Sequence, residues 1–157
     1  MVMLPGRQII LDLYNCDFDR LTNQAELLPA LEEIMADGSM PALSSFTLPQ
    51  GGDGGFSLAV FHRHGHVVVH TFPSTGFASA DVFSAAADTA VEKVSAKIKQ
   101  ILKSERNKNT ILKRGDFGSL NDMKPTMRRQ IKTWRRVRNA SAKMLNMLGS
   151  KKPPSID

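Results

Sequence analysis

Three apolar, β-rich runs stand almost end to end: FSLAVFH (56–62), HVVVHTF (66–72) and FASADVFS (77–84). Only Arg63–Gly65 and the turn PSTG (73–76) separate them. Links this short make hairpins and cannot hold a crossover helix. Adjacent antiparallel strands are therefore the first constraint on the fold. RQIILDLYN (7–15) and PALSSFTL (41–48) add further strands, and NTILKRG (109–115) closes the set.

Two segments have helical spacing. In LTNQAELLPALEEIMADG, the residues Leu27, Leu28, Leu31, Ile34 and Met35 share one face. Asn23 reads as its N-cap and Gly38 as the C′ residue, while Pro29 predicts a late start or a kink. Over 86–103, Ala90, Val91, Val94, Ile98, Ile101 and Leu102 form a second stripe. The order is β-α-β-β-β-β-α-β, an α+β fold with an antiparallel-rich sheet and helices packed on one face.

We divide the chain into an α+β domain at 1–115, a basic amphipathic helical extension at 116–150 and a disordered tail at 151–157. The extension is read as a helix from about Pro125 to Leu148. Met127, Ile131, Trp134, Leu145 and Leu148 fall on its apolar side, interrupted by Arg138. Arg128, Arg129, Lys132, Arg135, Arg136 and Lys143 take the other side. Arg128, Arg129, Lys132, Arg135 and Arg136 are the candidate anion-binding residues. Trp134 is a candidate for stacking on a base.

Charge follows the same division. Residues 1–95 hold four Lys/Arg against eleven acids, a net of −7, and residues 96–157 hold seventeen against four, a net of +13. That asymmetry suits an anionic partner, nucleic acid included, or the acidic body of a neighbouring subunit. At 157 residues and 41% apolar, the chain is long enough for one packed core. No apolar run approaches the ~20 residues of a membrane span. MVMLPGRQ lacks the build of a secretory signal, and a lone Cys16 forms no internal disulfide. A cytoplasmic protein is expected.

His62, His64, His66 and His70 invite a metal reading. The hairpin turn separates their directions, and no Cys or acid stands beside them, so no metal site is expected. QGGDGG (50–55) lacks the Lys-Ser/Thr of a phosphate-binding loop and reads as a plain turn.

Three blocks together resemble the bacterial and archaeal S-adenosylmethionine decarboxylase family of polyamine (spermidine) biosynthesis. GRQIILDLYNCD (6–17) resembles its opening strand, G-(R/K)-H, apolar residues, then Y-x-C-D. HVVVHTFPSTGFASADVF (66–83) resembles its central block, H-(I/L)-(S/T)-I-H-T-(W/Y)-P-E-x-G-Y-A-A-(I/V)-D-(L/V)-F. ILKRG (111–115) resembles its closing strand more weakly. The resemblance implies that family's fold over about 6–115, and a homo-oligomer, most simply a dimer. It also implies a pyruvoyl group made by self-cleavage, in which a serine after a glutamate attacks its own preceding carbonyl. That ketone then accepts the electrons released as carbon dioxide leaves.

Matched position by position, this sequence has His64 for the glutamate and Gly65 for the serine. Ser74 replaces a glutamate associated with substrate binding, and Ala85 replaces a cysteine proton donor. Ser57 and His70 match two residues that assist processing and catalysis. Glycine has no hydroxyl, so no pyruvoyl group and no other cofactor is expected. The leading expectation is a non-processing pseudoenzyme, not a decarboxylase. It would bind S-adenosylmethionine or a related molecule, or pair with an active paralogue as a regulatory or structural subunit. The alternatives are altered chemistry in the old pocket, using His64, His66 or His70, and a scaffold that binds nucleic acid or protein through the basic helix.

Overall fold

The computed structural model describes residues 6–86, 89–115 and 126–131. β1 (Gly6–Tyr14) leads through a short α1 (Phe18–Thr22) into α2 (Gln24–Asp37). β2 (Ser44–Gly51), β3 (Gly55–His62), β4 (Gly65–Phe72) and β5 (Phe77–Ser84) follow as a meander. α3 (Val91–Ile101), β6 (Arg106–Arg114) and β7 (Thr126–Ile131) complete the order. The strands form one sheet, β2-β3-β4-β5-β1-β6-β7, with every neighbouring pair antiparallel.

Alternation assigns the two faces. Ile9, Leu11 and Leu13 of β1 join Leu58, Val60, Val67, Val69, Ala78, Ala80 and Val82 on one side. Leu27, Leu31, Ile34 and Met35 of α2 and Val91, Val94 and Ile98 of α3 close over them. The opposite, open face carries half-buried and polar side chains such as Ile10, Asp12, Val68, His70 and Ser79.

Local signals explain the helix ends. The Asp17 carboxylate accepts the Arg20 N–H at 3.3 Å, and the Asn23 side-chain Oδ1 accepts the Glu26 N–H at 3.2 Å. With that cap in place α2 begins at Gln24, ahead of Pro29 and not after it. Gly38 ends α2 without the expected left-handed turn; Ser39 adopts that conformation instead, at φ 59°. Gly38 is needed for packing, because a Cβ there would come within 2.5 Å of Val94 Cγ2.

The largest departure from the sequence expectation lies in the C-terminal extension. Residues 126–131 form strand β7 against β6, not the first turns of a helix. The physical reason is parity. Positions 127 and 131, four apart, share a side of a strand as well as of a helix. β6 offers an unpaired edge, and ladder formation there overrides the helical reading. Met127 is accordingly 61% exposed instead of packed. Arg128 and Arg129 project to opposite faces and do not form one basic stripe. The extension thus adds a strand to the same sheet. Lys132, Trp134, Arg135, Arg136 and the rest of the expected helix and tail lie outside the described residues. Among the described residues, no helix is long and apolar enough to cross a membrane.

Candidate functional site

The register lays open-face residues in rows across the strands. One row runs Ser57 (β3), His70 (β4), Ser79 (β5), Asp12 (β1), Lys108 (β6) and Arg129 (β7). Ser57 and His70 therefore face each other directly. Ser57 Oγ lies 2.8 Å from His70 Nδ1. Gln50 Nε2 donates to the same Oγ, so the serine's own hydrogen is free to point at the imidazole. Sequence reading found Ser57 and His70 but passed over Gln50, which a bulge at the end of β2 brings within reach.

The backbone at Ser57 is held from the other face. Thr71 is fully buried, and its hydroxyl accepts the Phe56 N–H at 2.9 Å and donates to the Phe56 carbonyl at 3.2 Å. That clamp fixes the start of β3 next to Ser57.

The opposite end of β4 holds three of the four changed positions, His64, Gly65 and Ala85. Gly65 pairs with His62 on β3 and with Ser84 on β5. A Cβ on Gly65 would lie 2.0 Å from the Phe83 carbonyl oxygen and 2.9 Å from His62 Nε2. The first obstacle is backbone, so a side chain there forces β4 and β5 apart. The His64 carbonyl accepts the Ala85 N–H at 2.9 Å, which extends the same closure by one bond. His62 is buried beneath it. His62 Nδ1 accepts the His64 N–H at 3.4 Å and its Nε2–H donates to the Phe83 carbonyl at 3.3 Å. Both bonds suit the neutral ring, and burial pushes its pKa below the ordinary value. His66, on the open face, sits between the Phe61 and Phe83 rings. The histidines do not converge: His62 turns inward, while His66 and His70 face outward.

Gly65 and His70 are five residues apart, about 16 Å along an extended strand. Within one chain, the position where processing would begin and the Ser57–His70 pair do not meet.

Ser74 lies in the 3-10 turn after β4. Its N–H donates to Asp53 Oδ2 at 3.0 Å, and Gly55 N–H donates to Asp53 Oδ1 at 3.1 Å. These donors, that of Ser74 first, hold the Asp53 carboxyl below the usual range. The QGGDGG loop, read as a plain turn, thus brings a carboxylate to position 74. A second chain of contacts escaped the sequence reading. Arg114 donates to Gln8 Oε1, and Gln8 Nε2 donates to Asp81 Oδ2 at 2.6 Å.

The comparisons agree with this architecture. The family model described as S-adenosylmethionine decarboxylase matches residues 7–115. The S-adenosylmethionine decarboxylase proenzyme of Pyrobaculum arsenaticum is 30% identical over 113 residues, 67% of this chain and 90% of that protein. The proenzyme of Synechococcus sp. strain WH7803 is 32% identical over 104 residues, 64% of this chain and 78% of its own. The Bacillus cytotoxicus proenzyme matches over 50% of this chain, 30% identical, and 60% of its own length. The crystal structure of the Aquifex aeolicus adenosylmethionine decarboxylase has the same fold, with a TM-score of 0.67 at 22% identity. That match covers 75% of this chain and 97% of the other. The chain belongs to the S-adenosylmethionine decarboxylase family.

Proposed function

We propose that this chain is a non-processing member of the family, a binding or regulatory subunit rather than a decarboxylase. The observation that carries this is Gly65. It has no hydroxyl to attack the preceding carbonyl, and the Phe83 carbonyl oxygen fills the space a serine Cβ would need. A pyruvoyl group does not fit the residue present, and we derive no step through one. His64 and Ala85 join a backbone hydrogen bond at that end of β4 and supply neither the carboxylate nor the thiol of the family pattern.

Ligand recognition is supported at the other end. Ser57, Gln50 and His70 form a connected polar group on the open face. Asp53 sets a carboxylate beside Ser74, where the family pattern has a glutamate. A cationic ligand of the S-adenosylmethionine type suits that carboxylate. Self-association is supported by exposed Phe46, Leu48 and Phe61 at the β2–β3 end of the same face. A partner supplied by a second copy or by an active paralogue would cover them.

Intact-mass spectrometry of the purified chain tests the first claim. We expect one uncut species; two fragments divided near residue 64 would overturn the reading. Thermal unfolding with added S-adenosylmethionine tests the second. A ligand-dependent rise in Tm that Asp53→Asn reduces supports a binding subunit. No rise at any concentration would leave only the structural role.

A further inference from the structure

We infer that the cavity between α3 and the helix side of β6 and β7 binds an adenine mononucleotide. The inference uses no residue of the Ser57–His70 group, of the Asp53 loop or of the open face of the sheet. It stands whether or not the chain is cut.

Sheet register places the cavity. β6 pairs Asn107 with Leu13, Asn109 with Leu11 and Ile111 with Ile9. Those three β1 residues belong to the core, so Asn107 and Asn109 point to the helix side and Lys108 between them points away. α3 packs over β1 and β5, which leaves β6 and β7 beside it. β7 pairs Gln130 with Asn107, so the strand added by the C-terminal extension supplies the far wall. Lys99, Gln100, Lys103, Glu105, Asn107 and Gln130 line a space of about 420 Å³. That is within the roughly 300–1,000 Å³ of small-molecule sites.

Two features of the lining are unanswered from within the chain. Lys99 follows the fully buried Ile98, and its own stem is half-buried. Burial pulls its ammonium pKa below the ordinary value. Among the described residues no carboxylate forms an ion pair with it. Lys103 differs, since its Nζ meets Asp17 Oδ2 at 3.4 Å. Glu105 Oε2 accepts a hydrogen bond from Asn15 Nδ2 at 2.9 Å. The second feature is Asn107 Oδ1, which is buried, as is Asn109 Oδ1 on the same side. No donor among the described residues reaches either oxygen. Buried polar atoms without a partner are uncommon. No bond to its oxygen holds the Asn107 amide in one orientation, and a half turn exchanges that oxygen with the NH2 group.

Together these features select the occupant. A bare phosphate or carboxylate would satisfy Lys99 and leave the amides unused. An uncharged amide would do the reverse. Adenine sets an amino donor beside a ring-nitrogen acceptor, the pattern that one Asn amide meets with two hydrogen bonds. Its 5′-phosphate supplies the anion for Lys99. Gln100 and Gln130 offer further amides around the same space. A mononucleotide held in this way ties β7 to α3.

The test is calorimetric titration of the full chain with adenosine 5′-monophosphate, with adenosine and ribose 5-phosphate as its two halves. The nucleotide should bind at least about tenfold more tightly than either half. Lys99→Met keeps the apolar stem and removes the charge, and it should lower nucleotide affinity to that of adenosine. Asn107→Leu should lower it to that of ribose 5-phosphate. Should either variant fail to fold, Lys99→Gln and Asn107→Ser make the same comparison. Saturating S-adenosylmethionine should leave nucleotide affinity unchanged, because the two sites share no residue. The inference is overturned if the wild-type chain does not bind the nucleotide, or if either variant binds it like wild type. It is equally overturned if S-adenosylmethionine displaces the nucleotide, which would put both ligands in one pocket.

Discussion

The two ends of β4 have been treated differently. At one end Ser57 and His70 keep both the residue types of the family pattern and a working hydrogen bond, with Gln50 added. At the other, Gly65 lies against the Phe83 carbonyl, and His64 and Ala85 are joined through their backbones. A point loss in an otherwise intact site would leave room for the missing side chain. Here the strands have closed over the place. The end with Ser57 and His70 keeps two residues of the family pattern, with Ser74 changed beside them, whereas His64, Gly65 and Ala85 at the other end are all changed. That contrast separates the Ser57–His70 pair, on which the proposed binding rests, from position 65, where glycine offers no hydroxyl for self-cleavage.

The largest effect should come from putting a serine back. Gly65→Ser sets a Cβ against backbone, which has less freedom to relax than a side chain. We expect a loss of about 3 kcal/mol or more, as for the more severe overpacked or strained sites, and no cleavage. Thermal unfolding and intact mass check both. A stable Gly65→Ser chain that cuts itself would show that the closure is only a consequence of the glycine. The two ends of β4 would then differ by one residue alone.

At the retained end the expected effect is smaller and of another kind. Thr71→Val removes both hydroxyl bonds to Phe56 and leaves a buried N–H without its acceptor. A loss of about 1–3 kcal/mol is expected. S-adenosylmethionine binding should weaken with it, since Ser57 adjoins the clamped residue. Unfolding in denaturant measures the first and thermal shift the second. Loss of stability with unchanged binding would separate the clamp from the site.

Acid should act on the closed end first. His62 is neutral and buried in the folded chain, with its pKa below the ordinary value of 6.5. The unfolded chain therefore takes up the proton first, and protonation favours unfolding. This contribution is intact above pH 6.5 and is lost as pH falls below it toward the folded value. Asp17 and Asp53 are depressed below 3.8, so their contributions disappear only at lower pH. Tm should therefore fall between pH 7 and pH 5, and His62→Gln should flatten that slope. An equal slope in the variant would assign the dependence to other groups.

Much of this contrast was legible before the structure, for physical reasons. Strand alternation in 55–84 is strong, and each turn between those strands is too short for another topology. Asn23 and the Val91–Val94–Ile98 stripe gave the helices. β7 was not legible, because its spacing of four satisfies both periods and the free edge of β6 decided between them. Ser57, His70, Gly65, His64, Ser74 and Ala85 stood out because each could be matched to a pattern. Gln50, Asp53 and the Phe83 carbonyl could not. Each acts through a contact made by pairing or by a loop, and a backbone carbonyl has no signature in a sequence at all.

The smallest stability effect should belong to the residue with the largest functional one. Ser57 is half-buried, and among the described residues its hydroxyl bonds to the side chains of Gln50 and His70, which can both turn to water. Ser57→Ala should therefore change stability by less than about 1 kcal/mol. If the retained end of β4 reads a ligand, the same change should reduce the Tm rise given by S-adenosylmethionine, and His70→Gln should do so as well. The double variant then decides whether the two act as one unit. Coupled residues lose in the pair little more than either loses alone, whereas independent residues lose the sum. Additive losses would mean that the 2.8 Å bond is incidental to recognition. Unchanged binding in all three variants would mean that the pair is a relic, no more functional than the closed end.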